Sequence, residues 1–424
     1  MKVFVKTAAA LLALLAGISA AQPTGTQSEF APAAAPAGLQ TNERARILIE
    51  GDPRVVQARR GLDAARERGV ALTVGPNEWI AKAGTQRRRY ENAGGSVNEW
   101  SVGVERSLRL GGKAALDRSL GEMHVALAEA KLSEARHEAA RELAELTLAI
   151  QAAQRTRELW QEQLNFAQAN LDVAIKRRRA GDASALDQNI ASGDLSEVRR
   201  QFATASSELA KLQARFSARY GQELVPNLAA GNPSLLVPEE GAWKERVLEQ
   251  SDVLKAAAHQ TRIAELSAAR AGSDRRPDPT IGVHAASEAG GSERIVGLTL
   301  SIPLGGTYRS AVHREALQQV EVARAALEQV RRDLESEVAV TLAEVRGSAE
   351  RWRFAEEAAG AAAQNAQLSQ RAFSLGEADL QAVLLARRQA VDAALASTQA
   401  RVDALRARYR LLIDAHLIWN MHED

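Results

Sequence analysis

Two glycine-centred turns decide the fold: Ala180-Gly181-Asp182-Ala183-Ser184-Ala185-Leu186 and Leu375-Gly376-Glu377-Ala378-Asp379-Leu380. Each turn lies between two very long segments in which apolar residues recur every seven positions. Sustained heptads are typical of long helices that pack side by side with knobs in holes. Each turn therefore predicts a helical hairpin, and the second hairpin repeats the first.

Before each hairpin, the period of the apolar residues changes from seven to two. Residues 79–110 and 279–303 each contain two alternating segments around a Gly-Gly-Ser turn, and Gly-Gly follows each pair. One apolar and one polar face per segment predict two β-hairpins. Strands of this length suit either a tilted membrane crossing or a small soluble sheet packed on helices. In the membrane interpretation the residues that face lipid are Trp100, Val102, Val104, Ile281, Val283, Val296, Leu298 and Leu300.

The repeated unit of helix, strand pair and helical hairpin covers most of the chain. Residues 41–68 and 241–271 have the pattern of the helices that precede the two strand pairs, with a break or second start at Asp52-Pro53. The predicted organisation is repeat 1 in residues 41–225 with its hairpin in 112–220, a linker in 226–240, repeat 2 in 241–415 with its hairpin in 305–415, and a mobile tail in 416–424.

The N-terminus has the pattern of a secretory signal peptide in residues 1–21, with a basic start, an apolar middle and a small-residue cleavage site. An anchor helix is the alternative, but the apolar run is shorter than the roughly 20 residues that a span needs. Residues 22–40 are rich in Ala, Pro, Gly and Thr, which predicts a flexible leader.

Composition and motifs exclude several classes of protein. A formal net charge of +1 argues against a nucleic-acid-binding protein, which would normally have a clustered excess of basic residues. The absence of Cys excludes disulfides and thiolate metal sites. The seven His are scattered without a metal-binding motif, and Gly111-Gly112-Lys113 lacks the upstream Gly of a phosphate loop. We find no nucleophile–base arrangement. The sequence therefore predicts no catalytic, cofactor or metal site, and a protein that is not an enzyme.

Together, the signal peptide, the duplicated strand pairs ending in Gly-Gly, and the Gly turns between giant helices resemble the TolC-type outer membrane efflux family. The resemblance covers nearly the whole mature chain. It implies a mainly α protein with a small β part, located in the outer membrane with most of its mass in the periplasm. In this family three subunits share a 12-stranded outer-membrane β-barrel, to which each contributes four strands, and their helical hairpins form a periplasmic α-barrel.

The resemblance also implies partners and roles. The family's tips dock on a periplasmic adaptor that couples the tunnel to an inner-membrane pump, and the tunnel passively conducts the exported cargo. The adaptor contact is thereby assigned to Gly181, Leu186, Leu375, Gly376 and Leu380, and polar gate positions at the tips to Arg178, Asp187 and Asp379.

One departure from the family and several alternatives stand beside this interpretation. The stretch Ala382-Val383-Leu384-Leu385 is apolar where TolC-type tips carry an acidic ring. The other classes are a periplasmic adaptor and a coiled-coil envelope scaffold, and within the family a type I secretion conduit. The chain resembles most the conduits of resistance-nodulation-division pumps, including the CzcC-like heavy-metal branch.

Overall fold

The computed structural model describes residues 36, 38–91, 94–221, 233 and 240–419. The predicted signal peptide lies outside the described residues, as do most of the predicted leader, most of the linker and residues 420–424 of the predicted tail.

Eight helices and four strands make up the described fold. They are α1 (Asn42–Glu50), α2 (Pro53–Val74), β1 (Trp79–Tyr90), β2 (Gly95–Ser107), α3 (Lys113–Ala180), α4 (Ala185–Tyr220), α5 (Glu240–Gln250), α6 (Asp252–Asp274), β3 (Thr280–Glu288), β4 (Glu293–Ser301), α7 (Thr307–Ser374) and α8 (Leu380–Asp414).

Both predicted helical hairpins are present. Helices α3 and α7 contain 68 residues each, and α4 and α8 return with 36 and 35. A helix of this size is roughly 100 Å long, so the two ends of α3 lie far apart. The predicted mainly α fold with a small β part is confirmed.

The four strands form one antiparallel sheet in the order β1-β2-β3-β4. The central pairing joins the two repeats, since Val102 faces Ala285 and Val104 faces Val283 across β2 and β3. Because side chains alternate along a strand, the register places the apolar positions of all four strands on one face. The predicted alternation is therefore confirmed, and β1 and β4 are the edges of the sheet.

The helix predicted over residues 241–271 is instead two helices, α5 and α6. The Ser251 backbone takes φ −59° and ψ 115°, and its side-chain oxygen accepts a hydrogen bond from the Leu254 amide. Ser is a favoured N-cap because its side chain satisfies an amide that the first turn leaves unpaired. The break mirrors the predicted one at Asp52, whose carboxylate caps α2 in the same way.

Two segments predicted to be mobile are packed where the structure describes them. Leu39 and Gln40, at the end of the predicted leader, are buried, and so are His416 to Trp419 at the start of the predicted tail. The Trp419 indole N–H donates to the Gln40 carbonyl over 2.9 Å. These predictions were wrong for the described residues, because both segments are buried and a hydrogen bond joins one end of the chain to the other.

No helix within the described ranges has an 18-residue window apolar enough, and poor enough in charged residues, to cross a membrane.

A buried lysine fastens the β2–α3 junction of the first repeat to the α6–β3 junction of the second repeat. Gly111 and Gly112 both have positive φ, and α3 begins directly after them, as the sequence predicted for a strand-to-helix turn. The Lys113 side chain is 1% exposed, and its ammonium contacts Asp278 at 2.8 Å and Asp274 at 3.2 Å, both from the second repeat. A buried ammonium is costly unless it is paired, so these carboxylates hold the junctions in register.

Replacing Lys113 by Met should lower the free energy of unfolding by about 2–4 kcal/mol, because two carboxylates lose their buried partner. The control is Lys211→Met, which removes an exposed pair with Glu208 and should change stability by less than about 1 kcal/mol. Thermal unfolding in detergent, followed by circular dichroism, measures both variants. Equal midpoints for the two would contradict the assigned role.

Candidate functional site

The two hairpin tips are built by the same backbone device. Gly181 has φ 85° and Gly376 has φ 82°, the left-handed region that glycine adopts without steric cost. The Asp182 amide donates to the Arg177 carbonyl over 2.8 Å, and the Glu377 amide to the Ala372 carbonyl over 2.9 Å. These are the 6→1 bonds of a Schellman motif, which ends a helix at a glycine.

The tips lie against each other in the folded chain. Ala174 of α3, Ala191 of α4 and Leu380 of α8 form one buried apolar cluster. Beside it, the Arg177 guanidinium lies 5.5 Å from the centre of the Phe373 ring. A cavity of about 210 Å³ opens between the two tips. We call residues 181–186 and 375–379, the two turns together with Ala185 and Leu186, the tip pair.

The polar residues predicted at the tips cap helices. Ser184 and Asp187 form a reciprocal capping box at the start of α4, and Asp379 accepts a hydrogen bond of 2.7 Å from the Ala382 amide at the start of α8. Arg178 donates to the Gln188 side chain over 2.7 Å. Hydrogen bonds from the Ser184 hydroxyl and amide hold the pKa of Asp187 below its usual value. Each side chain therefore has a local structural role, whatever a partner adds.

Of the side chains assigned to adaptor contact, Leu186 and Leu375 are 63% and 68% exposed. Leu380 differs, because it is buried in the cluster between the tips and offers no surface to a partner. Ser184 is the N-cap of α4 and Asp379 is the N-cap of α8. Leu380, the residue directly after its cap, therefore corresponds to Ala185 and not to Leu186. The two leucines are not equivalent, because Leu186 lies five residues after Gly181 whereas Leu380 lies four residues after Gly376.

The second candidate surface is the apolar face of the sheet. The eight predicted lipid-facing side chains are all exposed, from 43% at Val104 to 86% at Val296. Polar groups lie on the opposite face, where the Lys82 ammonium contacts the Glu105 carboxylate at 2.6 Å. An exposed apolar patch of this extent marks an interaction surface.

Sequence reasoning missed a buried ionisable region beside α3. A cavity of about 600 Å³ is lined by Glu134, Arg141 and Asp414 among others. Burial raises the pKa of Glu134 to about 7, although Arg141 opposes the shift. Next to it, His137, Asp252 and His416 are buried together. The cluster is invisible in the sequence because its members come from α3, the start of α6 and the segment after α8.

Replacing Asp187 by Asn should loosen the first turn of α4, because the capping box loses its charged acceptor. At pH 7 the amides of residues 185–188 should exchange with deuterium faster in the variant than in the wild type. The pKa of Asp187 is lowered by folding, so its contribution is present above the unfolded pKa and is lost as pH falls through the folded one. The difference between variant and wild type should therefore shrink as pH falls below the unfolded pKa and vanish once pH lies below the folded one. A difference that persists there would contradict the assignment.

Comparison with known proteins gives a family for part of the chain and a fold for nearly all of it. Residues 243–412 match the profile of the family described as outer membrane efflux protein. No significant match is found among curated proteins.

Three solved structures illustrate the similarity of fold. A membrane protein from Pseudomonas aeruginosa has 17% identity and a TM-score of 0.76, covering 91% of this chain and 97% of its own. The outer membrane protein VceC from Vibrio cholerae has 16% identity and a TM-score of 0.72, covering 88% and 96%. The outer membrane channel MtrE of Neisseria gonorrhoeae, solved in an open state, has 17% identity and a TM-score of 0.67, covering 89% of each chain.

The matched residues run from α5 to α8, which is the second repeat. The likeness to solved channels covers 88–91% of the chain and therefore extends over both repeats. The second repeat of this chain thus matches the outer membrane efflux protein family, and the described residues have the fold of the solved outer membrane channels.

Proposed function

We propose that this chain is the outer-membrane channel of a tripartite efflux system. It conducts, without chemistry of its own, the cargo that an inner-membrane pump delivers through a periplasmic adaptor. Its sheet lies in the outer membrane, and its long helices lie in the periplasm. Selection of cargo then belongs to the pump. The resistance-nodulation-division class of that pump and a heavy-metal cargo stay predictions.

The sheet carries this proposal. Its exposed apolar face includes Trp100, Leu298 and Leu300, and burying such side chains in lipid is favourable by about 1.5–3 kcal/mol each. Its edges, β1 and β4, have no partner strand within the described chain. Unpaired backbone groups are not tolerated in a bilayer, so the edges of one copy must pair with those of others. Three copies then close a 12-stranded barrel, the homotrimer that the family implies.

The tip pair is the surface proposed for the adaptor. Leu186 and Leu375 present apolar side chains beside glycines that have no Cβ. A Cβ built on Gly181 or Gly376 meets nothing within 4 Å in this chain. The space above each glycine is therefore open to the close approach of a partner helix. Because Leu380 is buried, we omit it from this contact surface.

Gating follows from the same surface. A tip pair whose helices touch through small residues such as Ala174 and Ala191 offers little resistance to rearrangement. An adaptor that binds an untwisted arrangement of the tips more tightly than the resting one shifts the population towards it. Arg178, Asp187 and Asp379 lie at the positions where such a rearrangement begins.

The alternative classes fit the fold less well. A periplasmic adaptor has one helical hairpin between the halves of a lipoyl-like domain, whereas this chain has two hairpins. An envelope scaffold of coiled coils has no need of a sheet that joins the two repeats and exposes an apolar face. A type I secretion conduit would share the proposed architecture and differ only in its pump.

Separation of the inner and outer membranes of cells that express the full-length chain tests the location. We expect the protein in the outer-membrane fraction, extracted only with detergent, as particles that contain three chains. A monomer released from the periplasm without detergent would contradict the proposal and would favour a periplasmic adaptor or an envelope scaffold instead.

Replacing Gly376 by Trp should reduce efflux to the level of a strain that lacks the gene, while outer-membrane trimers remain. A Cβ at this position meets no atom of its own chain within 4 Å, so the added side chain has open space above the turn where the partner is proposed to approach. Accumulation of dyes and of metal ions in cells measures efflux, and density-gradient fractions measure the trimer.

The matched control is Gly221→Trp. Gly221 ends α4 with φ 65° and also has nothing within 4 Å of a built Cβ. It therefore suffers the same backbone strain away from the tips, and we expect normal efflux. Full efflux in Gly376→Trp, or equal loss in both variants, would contradict docking at the tip pair.

A further inference from the structure

We propose that His137, Asp252 and His416 bind a divalent transition-metal ion of the zinc class, which fastens the end of the chain to both repeats. This ion is structural and is distinct from any cargo of the channel. The three residues belong to no metal-binding motif in the sequence, and the proposed efflux function does not require a metal ion.

The three candidate ligand atoms lie slightly farther apart than they would around a bound ion. One ligand atom from each of the three residues lies within 4.8 Å of the other two. The Asp252 Oδ2 is 3.9 Å from His137 Nδ1 and 4.0 Å from His416 Nε2. Ligand atoms around tetrahedral zinc are about 3.3–3.6 Å apart, given bonds of about 2.0–2.2 Å. Side-chain movements of less than about 1 Å would therefore complete the coordination.

The ligand types fit this class of ion. Two imidazoles and one carboxylate suit Zn²⁺ and neighbouring transition metals, whereas Mg²⁺ and Ca²⁺ prefer oxygen ligands alone. The His137 and His416 rings meet edge to face with centroids 4.0 Å apart, which brings their nitrogens to the same side as the carboxylate. Three protein ligands leave the fourth position for water.

A second layer of contacts already orients the carboxylate. The Ser133 hydroxyl donates to Asp252 Oδ2 over 2.5 Å, and the Lys255 ammonium lies 3.4 Å from Oδ1. Ser133 is one helical turn before His137 on α3 and lies on the same face. Hydrogen bonds of this kind fix ligand orientation in protein metal sites.

The surroundings favour a cation. All three ligands are buried, with exposures of 8% for His137, 2% for Asp252 and 4% for His416. Glu134 and Asp414 line the adjoining cavity. Arg141 compensates part of their charge through its ion pairs at 2.7 Å with Asp414 and 3.3 Å with Glu134. The cavity also reaches His137 and Asp252, which gives an ion a route to the cluster.

The location explains what the ion would do. Asp252 is the first residue of α6, His137 belongs to the middle of α3, and His416 follows α8 in a left-handed conformation with φ 58°. A bound ion would join repeat 1, the start of the strand-bearing part of repeat 2, and the segment after the last helix. Residues 416–419 of this segment, the described start of the predicted mobile tail, are buried.

The test uses the full-length protein, purified in detergent without a histidine tag and treated with EDTA. It is incubated with Zn²⁺ alone and separated from free ion by gel filtration. We expect about one zinc per chain by mass spectrometry of the metal, and an unfolding midpoint that zinc raises and EDTA lowers. The near-isosteric variants His137→Gln and Asp252→Asn should each retain less than about a tenth of the zinc.

The matched control is His259→Ala, which removes a histidine from α6 outside the cluster and should leave the stoichiometry unchanged. Co²⁺ added to the wild type provides a test that needs no variant to fold. Strong visible bands of a four-coordinate ion are expected, whereas the weak spectrum of six-coordinate aqueous cobalt would overturn the proposal. Absence of retained zinc, or equal zinc in the wild type and both ligand variants, would also overturn it.

Discussion

The structure depends on burial along α3. Its central turns bury Ala139, Leu143, Leu148 and Ile150 almost completely, and α1, α2, α4, α6 and α8 all pack against it. Burial of aliphatic side chains is worth about 25 cal/mol for each Å² removed from water. A helix of 68 residues cannot supply this for itself, so its position is set by elements from both repeats. The packing of α3 therefore also sets the positions of the sheet at one of its ends and of the tip at the other.

The two repeats have similar backbone geometry at their tips but different side chains. Both tips use a glycine with positive φ and a 6→1 hydrogen bond, because the geometry of ending one long helix and starting another requires it. The caps differ, since α4 begins with a reciprocal capping box and α8 with Asp379 alone. Ala185 and Leu380 occupy equivalent positions, yet only Leu380 fills the space between the tips. One chain thus presents two tips of equal shape and unequal chemistry.

The buried charged groups contribute to the fold mainly where distant segments of the chain meet. Lys113 joins the turn between β2 and α3 to the segment between α6 and β3, and Asp52, which is 0% exposed, both caps α2 and pairs with Arg219 from α4 at 2.7 Å. The cluster of His137, Asp252 and His416 is a third such junction. Because desolvated charges are costly without partners, each of these contacts specifies one relative placement of distant segments. The exposed i,i+3 and i,i+4 pairs along the helices add little by comparison.

The sequence by itself determined the two helical hairpins, the glycine turns, and the strand pairs with one apolar face. Each rests on a local period or on a residue such as Gly181 or Gly376 whose backbone freedom is intrinsic. Only the tertiary structure decided that Leu380 is buried, that residues 416–419 pack against the predicted leader, and that His137 meets His416. These outcomes depend on contacts between positions far apart in the chain, and a local pattern records that a residue is apolar or ionisable without recording which distant partner covers it.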